Sequence, residues 1–114
     1  MTFPIKFDFP RVLTIRKSSE FKETFDKGKR FSTEHYTLVY APNSLGSPRL
    51  GLVVGKTCGN AVKRNRIKRV IREVFRRNKP LFDSLDVLII GKKNGETLGY
   101  SRAKEEILEA IRVV

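Results

Sequence analysis

Apolar residues Ile67, Val70, Ile71, Val74 and Phe75 recur at three- and four-residue spacing. At about 100° per residue they share one arc of a helix, while Asn65, Arg66, Lys68, Arg69, Arg72, Arg76 and Arg77 share the other. Residues 57–59 turn into this helix, and Asn78 with Pro80 ends it. Upstream the period changes to two. Residues 31–41 form an extended segment, clearest from Tyr36, where Tyr36, Leu38 and Tyr40 alternate with Thr37, Val39 and Ala41. A turn-rich stretch at 42–48 leads into a strand at 49–56, with Leu50, Leu52 and Val54 on one face and Gly51, Val53 and Gly55 on the other. The two strands are expected to pair as an antiparallel hairpin. The small face leaves room for something to lie across the sheet, or else marks a bulge or a tight helix approach.

Four further segments complete the pattern. Residues 86–91 contain an uninterrupted apolar run that suits a buried strand. Strand, long helix, strand is a β-α-β arrangement, so this strand is expected to run parallel to the one at 49–56. Beyond a polar loop at 92–99, Ser101 is placed to cap a final helix that buries Ile107, Leu108 and Ile111, with Glu105, Glu106 and Glu109 offsetting Arg102, Lys104 and Arg112. Near the start, Ser18 or Ser19 caps a short helix with Glu20 and Glu23 in its first turn, Phe21 and Phe25 on one face, and Gly28 at its end. Residues 1–16 form an extended arm, in which Pro4 and Pro10 prevent regular helix and Phe3, Phe7 and Phe9 either stack on bases or cover the core edge. Together these elements predict a single α+β domain over residues 1–114, in the order α-β-β-(β)-α-β-α with a mixed sheet.

Charge adds what periodicity leaves out. The chain carries 24 basic and 12 acidic residues, and from position 63 to 79 nine Lys or Arg face one acid, Glu73, so that +8 of the formal +12 sits in this one segment. A charged helix face is often simply solvated. Ordinary surface helices mix signs, whereas Arg69, Arg72, Arg76 and Arg77 repel one another with only Glu73 to relieve them. A polyanionic partner removes that cost, and a nucleic acid is the leading expectation. An anionic membrane surface is a weaker one, since the apolar side is what a core needs and the chain has no Trp. Insertion into duplex DNA lacks a helix-turn-helix spacing.

Other chemistry is sparse. Cys58 is the only cysteine, which excludes an internal disulfide and fits a reducing cytosol and a structural thiol. No run reaches the length of a membrane span, and a cytoplasmic location is expected. His35 is expected at the surface. No catalytic or metal-binding motif occurs at a recognised spacing. Phe21 and Phe25 suit either the core or base stacking.

The run Lys63 to Glu73, KRNRIKRVIRE, closely resembles the signature of the bacterial ribonuclease P protein component. The resemblance extends to Phe9-Pro10-Arg11, to Phe21 and Phe25, and to Pro48-Arg49-Leu50-Gly51-Leu52, and follows nearly the whole chain in order. It implies an α/β sandwich of the ribosomal protein S5 domain 2-like class with a left-handed β-α-β crossover. It also implies a subunit that joins a catalytic RNA, ribonuclease P RNA, to remove the 5′ leader of precursor tRNA. The RNA and its Mg2+ would carry the chemistry, with no catalytic residue, intrinsic metal or obligatory protein partner on this chain. By the same resemblance Arg64, Asn65, Arg66, Lys68, Arg69 and Arg72 would dock on that RNA, Arg64 nearest the apolar boundary. Phe21 and Phe25, with Tyr36, Leu38 and Tyr40 or their opposite-face neighbours Thr37 and Val39, would form a leader cleft, with Lys56 as a phosphate contact. Thr57 stands where a basic residue is common in the family. A ribosomal-type structural RNA-binding protein is the alternative expectation.

Overall fold

The structure, a computed structural model, describes residues 18–112. The expected N-terminal arm lies outside the described residues, as do the side chains of Ser18 and Glu20. Helix α1 (Ser18–Lys27) is followed by strands β1 (Lys29–Ser32), β2 (Tyr36–Pro42) and β3 (Arg49–Val53). Helix α2 (Ala61–Arg77), a short α3 (Lys79–Phe82), strand β4 (Leu85–Gly91) and helix α4 (Tyr100–Arg112) complete the chain. The single extended segment expected at 31–41 is two strands, separated by a turn at 33–35.

The sheet order is β1-β2-β4-β3. β3 and β4 are parallel, as their helical connection requires, while β1–β2 and β2–β4 are antiparallel. The expected hairpin between β2 and β3 is therefore corrected: β4 lies between them. Val87, Leu88 and Ile89 are fully buried, and a strand apolar on both faces is stable only in the sheet interior. The junction is fastened by Asn43, whose backbone N–H donates to the Ser84 carbonyl (2.9 Å), and by Ser84 Oγ, which donates to Asn43 Oδ1 (2.7 Å).

Strand alternation sorts the core into two layers. Tyr36, Leu38, Tyr40, Leu50, Val87 and Ile89 face Ile67, Ile71, Val74 and Phe75 of α2 and Ala103, Ile107 and Ala110 of α4. Val39 and Leu88 face the other way, against Phe21 of α1 and Ile90. The sheet thus separates α1 from α2 and α4.

Local chemistry sets the ends of α2. Gly59 takes φ +111, and a methyl group there would meet Lys63 Cδ at 2.7 Å, so the approach to the helix needs glycine. Asn60 caps the first turn, its Oδ1 accepting from the Lys63 N–H (3.0 Å). Asn78 closes the far end, donating through Nδ2 to the Val74 carbonyl (2.7 Å), and α3 then places Phe82 against Phe75 with ring centroids 4.9 Å apart. Cys58 is buried, its Sγ 3.6 Å from the Lys92 carbonyl.

His35 is not on the surface. It is 9% exposed, with Nδ1 3.0 Å from Glu106 Oε1, while its backbone N–H and Thr33 Oγ1 both donate to Glu106 Oε2. Burial alone would raise the Glu106 carboxyl, but these hydrogen bonds and the neighbouring imidazole hold it below its usual value. The acid expected to offset surface cations on α4 instead ties that helix to the turn between β1 and β2.

Candidate nucleic-acid interface

The sequence places α2 with its apolar arc on the sheet, so its cations must occupy the remaining face. Asn65, Arg66, Arg69 and Arg72 are exposed, Lys68 and Arg64 half-buried. Arg64 sits at the boundary the sequence suggests, its Nε buried with no partner among the described residues. Arg72 keeps an exposed side chain, yet enough protein surrounds it to lower its pKa by desolvation. Glu73 Oε2 lies 2.6 Å from Arg76 Nη2 and 2.8 Å from Arg77 Nε, and the Arg77 guanidinium also lies 4.7 Å above the Tyr100 ring. The one helical acid therefore neutralises the C-terminal end. Among the described residues no carboxylate pairs with the cations from 64 to 72, and Arg64 stands in the first turn of the helix, where the dipole adds further positive potential. A 3-10 turn at Gly95–Thr97 lies beside this end: Arg66 Nε donates to the Glu96 carbonyl (2.7 Å), and Lys63 Nζ is 3.9 Å from Glu96 Oε2.

A second surface lies on the opposite sheet face. The strand registers align Arg30, Val39, Leu88 and Gly51 in one row and Ser32, Thr37, Ile90 and Val53 in the next. α1 covers the first row. A methyl group at Gly51 would stand 2.6 Å from Leu88 Cδ2 and 3.0 Å from Phe21 Cε2, so the glycine marks a tight helix approach. The second row is left partly open, with Ser32 exposed and Thr37, Ile90 and Val53 half-buried. Phe25 is 38% exposed, under the guanidinium of Arg30 in the first row at 4.4 Å. Lys92 Nζ reaches Ser32 Oγ (2.5 Å) and the Thr33 carbonyl (2.6 Å) from the other side.

This geometry divides the residues named for the leader cleft. Phe21 packs on the face carrying Thr37 and Val39, and Phe25 stacks with Arg30, the register partner of Val39. Tyr36, Leu38 and Tyr40 do not join them; they are buried on the α2 and α4 side, where alternation puts them. Lys56 is exposed at the 3-10 turn after β3 (Lys56–Cys58), near the open row in sequence but without a described contact to either phenylalanine. Ser32, Ile90, Arg30 and Lys92 are additions. Their signal is faint, because Ile90 ends an unbroken apolar run and the sequence pattern does not divide β1 from β2.

Among the described residues no three of His, Cys, Asp and Glu stand together as a metal-ion donor set. The α2 face offers guanidinium and ammonium groups, which do not fit Mg2+. No described helix is long and apolar enough to cross a membrane.

Fold and charge define an α+β domain built around one solvent-facing basic helix, a protein of the RNA-binding class. The chain belongs to the ribonuclease P protein family, whose family model, described as ribonuclease P, matches residues 9–114. It is 48% identical over 94 residues to the ribonuclease P protein component of Syntrophus aciditrophicus, covering 82% of this chain and 79% of that one. It is 36% identical over 109 residues to that of Petrotoga mobilis, covering 91% and 92%. Among solved structures it is similar to the RNase P protein of Staphylococcus aureus, with TM-score 0.79 at 26% identity over 89% of this chain and 94% of that one. The RNase P protein of Thermotoga maritima matches with TM-score 0.78 at 28% identity, over 89% and 96%. The chain is thus the protein subunit of a ribonucleoprotein endoribonuclease that acts in tRNA 5′ maturation and works with ribonuclease P RNA. Family membership decides against the ribosomal-type alternative.

Proposed function

We propose that Arg64, Asn65, Arg66, Lys68, Arg69 and Arg72 dock on the catalytic RNA, and that the open row Ser32, Thr37, Ile90 and Val53, next to the row that Phe21 and Phe25 contact, carries the single-stranded 5′ leader of precursor tRNA. The observation that carries this reading is the run of cations from 64 to 72 without a helical carboxylate, on a helix whose only acid is already engaged at the other end. Such a surface gains from releasing the counterions of a phosphate backbone. The open row offers a half-apolar strip with Arg30 in the adjoining row, stacked on Phe25, and with Lys92 reaching Ser32. This suits stacking and backbone contacts that tolerate any base. Mg2+ belongs to the RNA in this reading and supplies metal-assisted phosphodiester hydrolysis. The chain's part is to raise the affinity and placement of RNA and substrate, in the cytoplasm, where its lone buried thiol stays reduced.

The test is cleavage of 5′-labelled precursor tRNA by a bacterial ribonuclease P RNA at low Mg2+, with and without the protein. Restored cleavage at the mature 5′ end is expected. Thr37→Glu places an anion on the open row and is expected to lower the holoenzyme's preference for precursor over mature tRNA by about tenfold, while protein–RNA affinity holds. An unchanged preference would remove the leader from this face.

A further inference from the structure

From the contact between Arg66 and the 3-10 turn at Gly95–Thr97 we infer that Glu96 is a positioning residue for RNA docking, holding the Arg66 guanidinium with its two terminal nitrogens presented to a phosphate. The inference rests on the reading of α2 as the RNA-docking face. Of the cations from 64 to 72, Arg66 is the one held by a hydrogen bond among the described residues, through Nε to the Glu96 carbonyl at 2.7 Å. Anchoring by Nε leaves the Nη1–Nη2 edge, the edge that grips phosphate with two parallel hydrogen bonds. A guanidinium fixed in this way loses less conformational freedom when the RNA arrives.

The turn is built to hold that carbonyl in place. Thr97 Oγ1 donates to the Asn94 carbonyl (2.8 Å), and the Leu98 N–H donates to the Gly95 carbonyl (3.2 Å). Gly95 lies directly on α2, since a methyl group there would touch Ile67 Cδ1 at 3.5 Å. The Glu96 side chain folds inward: it is 19% exposed, Oε1 is buried without a partner among the described residues, and Oε2 faces Lys63 Nζ at 3.9 Å. An acid beside an RNA-docking surface is a repulsive charge on electrostatic grounds alone. Its main-chain carbonyl makes the contact and its inward-folded side chain packs the turn that presents that carbonyl, which assigns it the opposite effect.

That difference in sign is the test. The assay is affinity of the full-length protein for ribonuclease P RNA, titrated over a salt series, with thermal unfolding of each variant. Glu96→Ala keeps the main-chain carbonyl but removes the packed side chain beneath the turn that presents it, and is expected to weaken binding about three- to tenfold although it removes a negative charge; unchanged binding would show that the side chain does not position Arg66. In an Arg66→Ala background the same change is expected to cost less than about twofold, and in an Arg69→Ala background its full amount. Glu96→Gln keeps the packed shape and is expected to restore affinity to within about twofold, because the Lys63 pair it breaks is half-exposed and weak. Tighter binding by Glu96→Ala, or equal weakening with and without Arg66, would overturn the positioning role. If Arg66→Ala alone leaves both affinity and salt slope unchanged, the docking face itself is wrong.

Discussion

Replacing Arg66, Lys68 and Arg69 together by alanine tests the docking face most directly, because the consequence is a slope and not only an affinity. None of the three has a carboxylate partner among the described residues, and Arg66 and Arg69 are exposed, so the variant should fold as the parent does. Each phosphate neutralised contributes about 0.7 to 0.9 to the slope of log K against log salt. Three lost contacts therefore flatten the slope by roughly 2 to 2.7. Between 50 and 200 mM salt, the affinity gap between parent and variant should then shrink by roughly 20- to 40-fold, being widest at low salt. Filter binding or fluorescence titration against ribonuclease P RNA at four or five salt concentrations measures this, with circular dichroism to confirm the fold. A variant that binds more weakly by the same factor at every salt concentration, with a parallel slope, would refute the phosphate contacts.

Two predictions concern the scaffold. Glu106→Gln is expected to cost about 1–2 kcal/mol near neutral pH by weakening its contacts with Thr33 and His35. Because the folded Glu106 pKa is lowered, its contribution is present above the ordinary glutamate value and lost as pH falls through the folded value, so melting curves of parent and variant should converge on acidification. A gap that persists or widens in acid would place the linkage elsewhere. Gly51→Ala is expected to cost about 1–3 kcal/mol, because its methyl group meets Leu88 and Phe21 beneath α1. It should leave the salt slope of RNA binding unchanged, and an altered slope would show that α1 and α2 do not act separately.

How much was legible depended on whether a signal was local. Helix α2 was plain because two independent patterns coincide on it: the apolar arc from Ile67 to Phe75 fixes which face is buried, and the cations fill the rest. The parallel relation of β3 and β4 followed from the helix between them. Sheet order did not, because nothing in the sequence of β2 and β3 says that a strand more than thirty residues later will enter between them. Alternation in β2 separated Tyr36, Leu38 and Tyr40 from Thr37 and Val39, but not which set faces α1. The glycines at 51 and 55 leave three readings open, room across the sheet, a bulge or a tight helix approach, and the approach of Phe21 at Gly51 fixes the answer. The burial of His35 is hidden from the sequence for the same reason as the sheet order: its partner, Glu106, lies 71 residues away.

The topology brings the two proposed surfaces to one end of the molecule despite the sheet between them. β3 runs from the Arg49–Asp86 pair, whose Nη2 and Oδ2 atoms lie 2.8 Å apart, toward Val53 in the open row. Only the 3-10 turn at Lys56–Cys58 and its flanks separate that row from the first turn of α2. β4 runs the same way and, beyond Ile90 in the same row, delivers the Gly95–Thr97 turn to Arg66. A parallel pair joined by a helix makes this unavoidable, since the helix must start where the first strand ends and run back. The strongest unneutralised charge, the positive end of the helix dipole, the turn that holds Arg66, and the open row therefore share one end of the sheet, while Glu73 and Tyr100 quiet the other end of α2. In the proposed reading, a leader lying on the row leaves the protein close to where α2 meets the catalytic RNA. Contact with both partners at one end allows a domain this small to bring a scissile phosphate to an RNA active centre without supplying a catalytic group of its own.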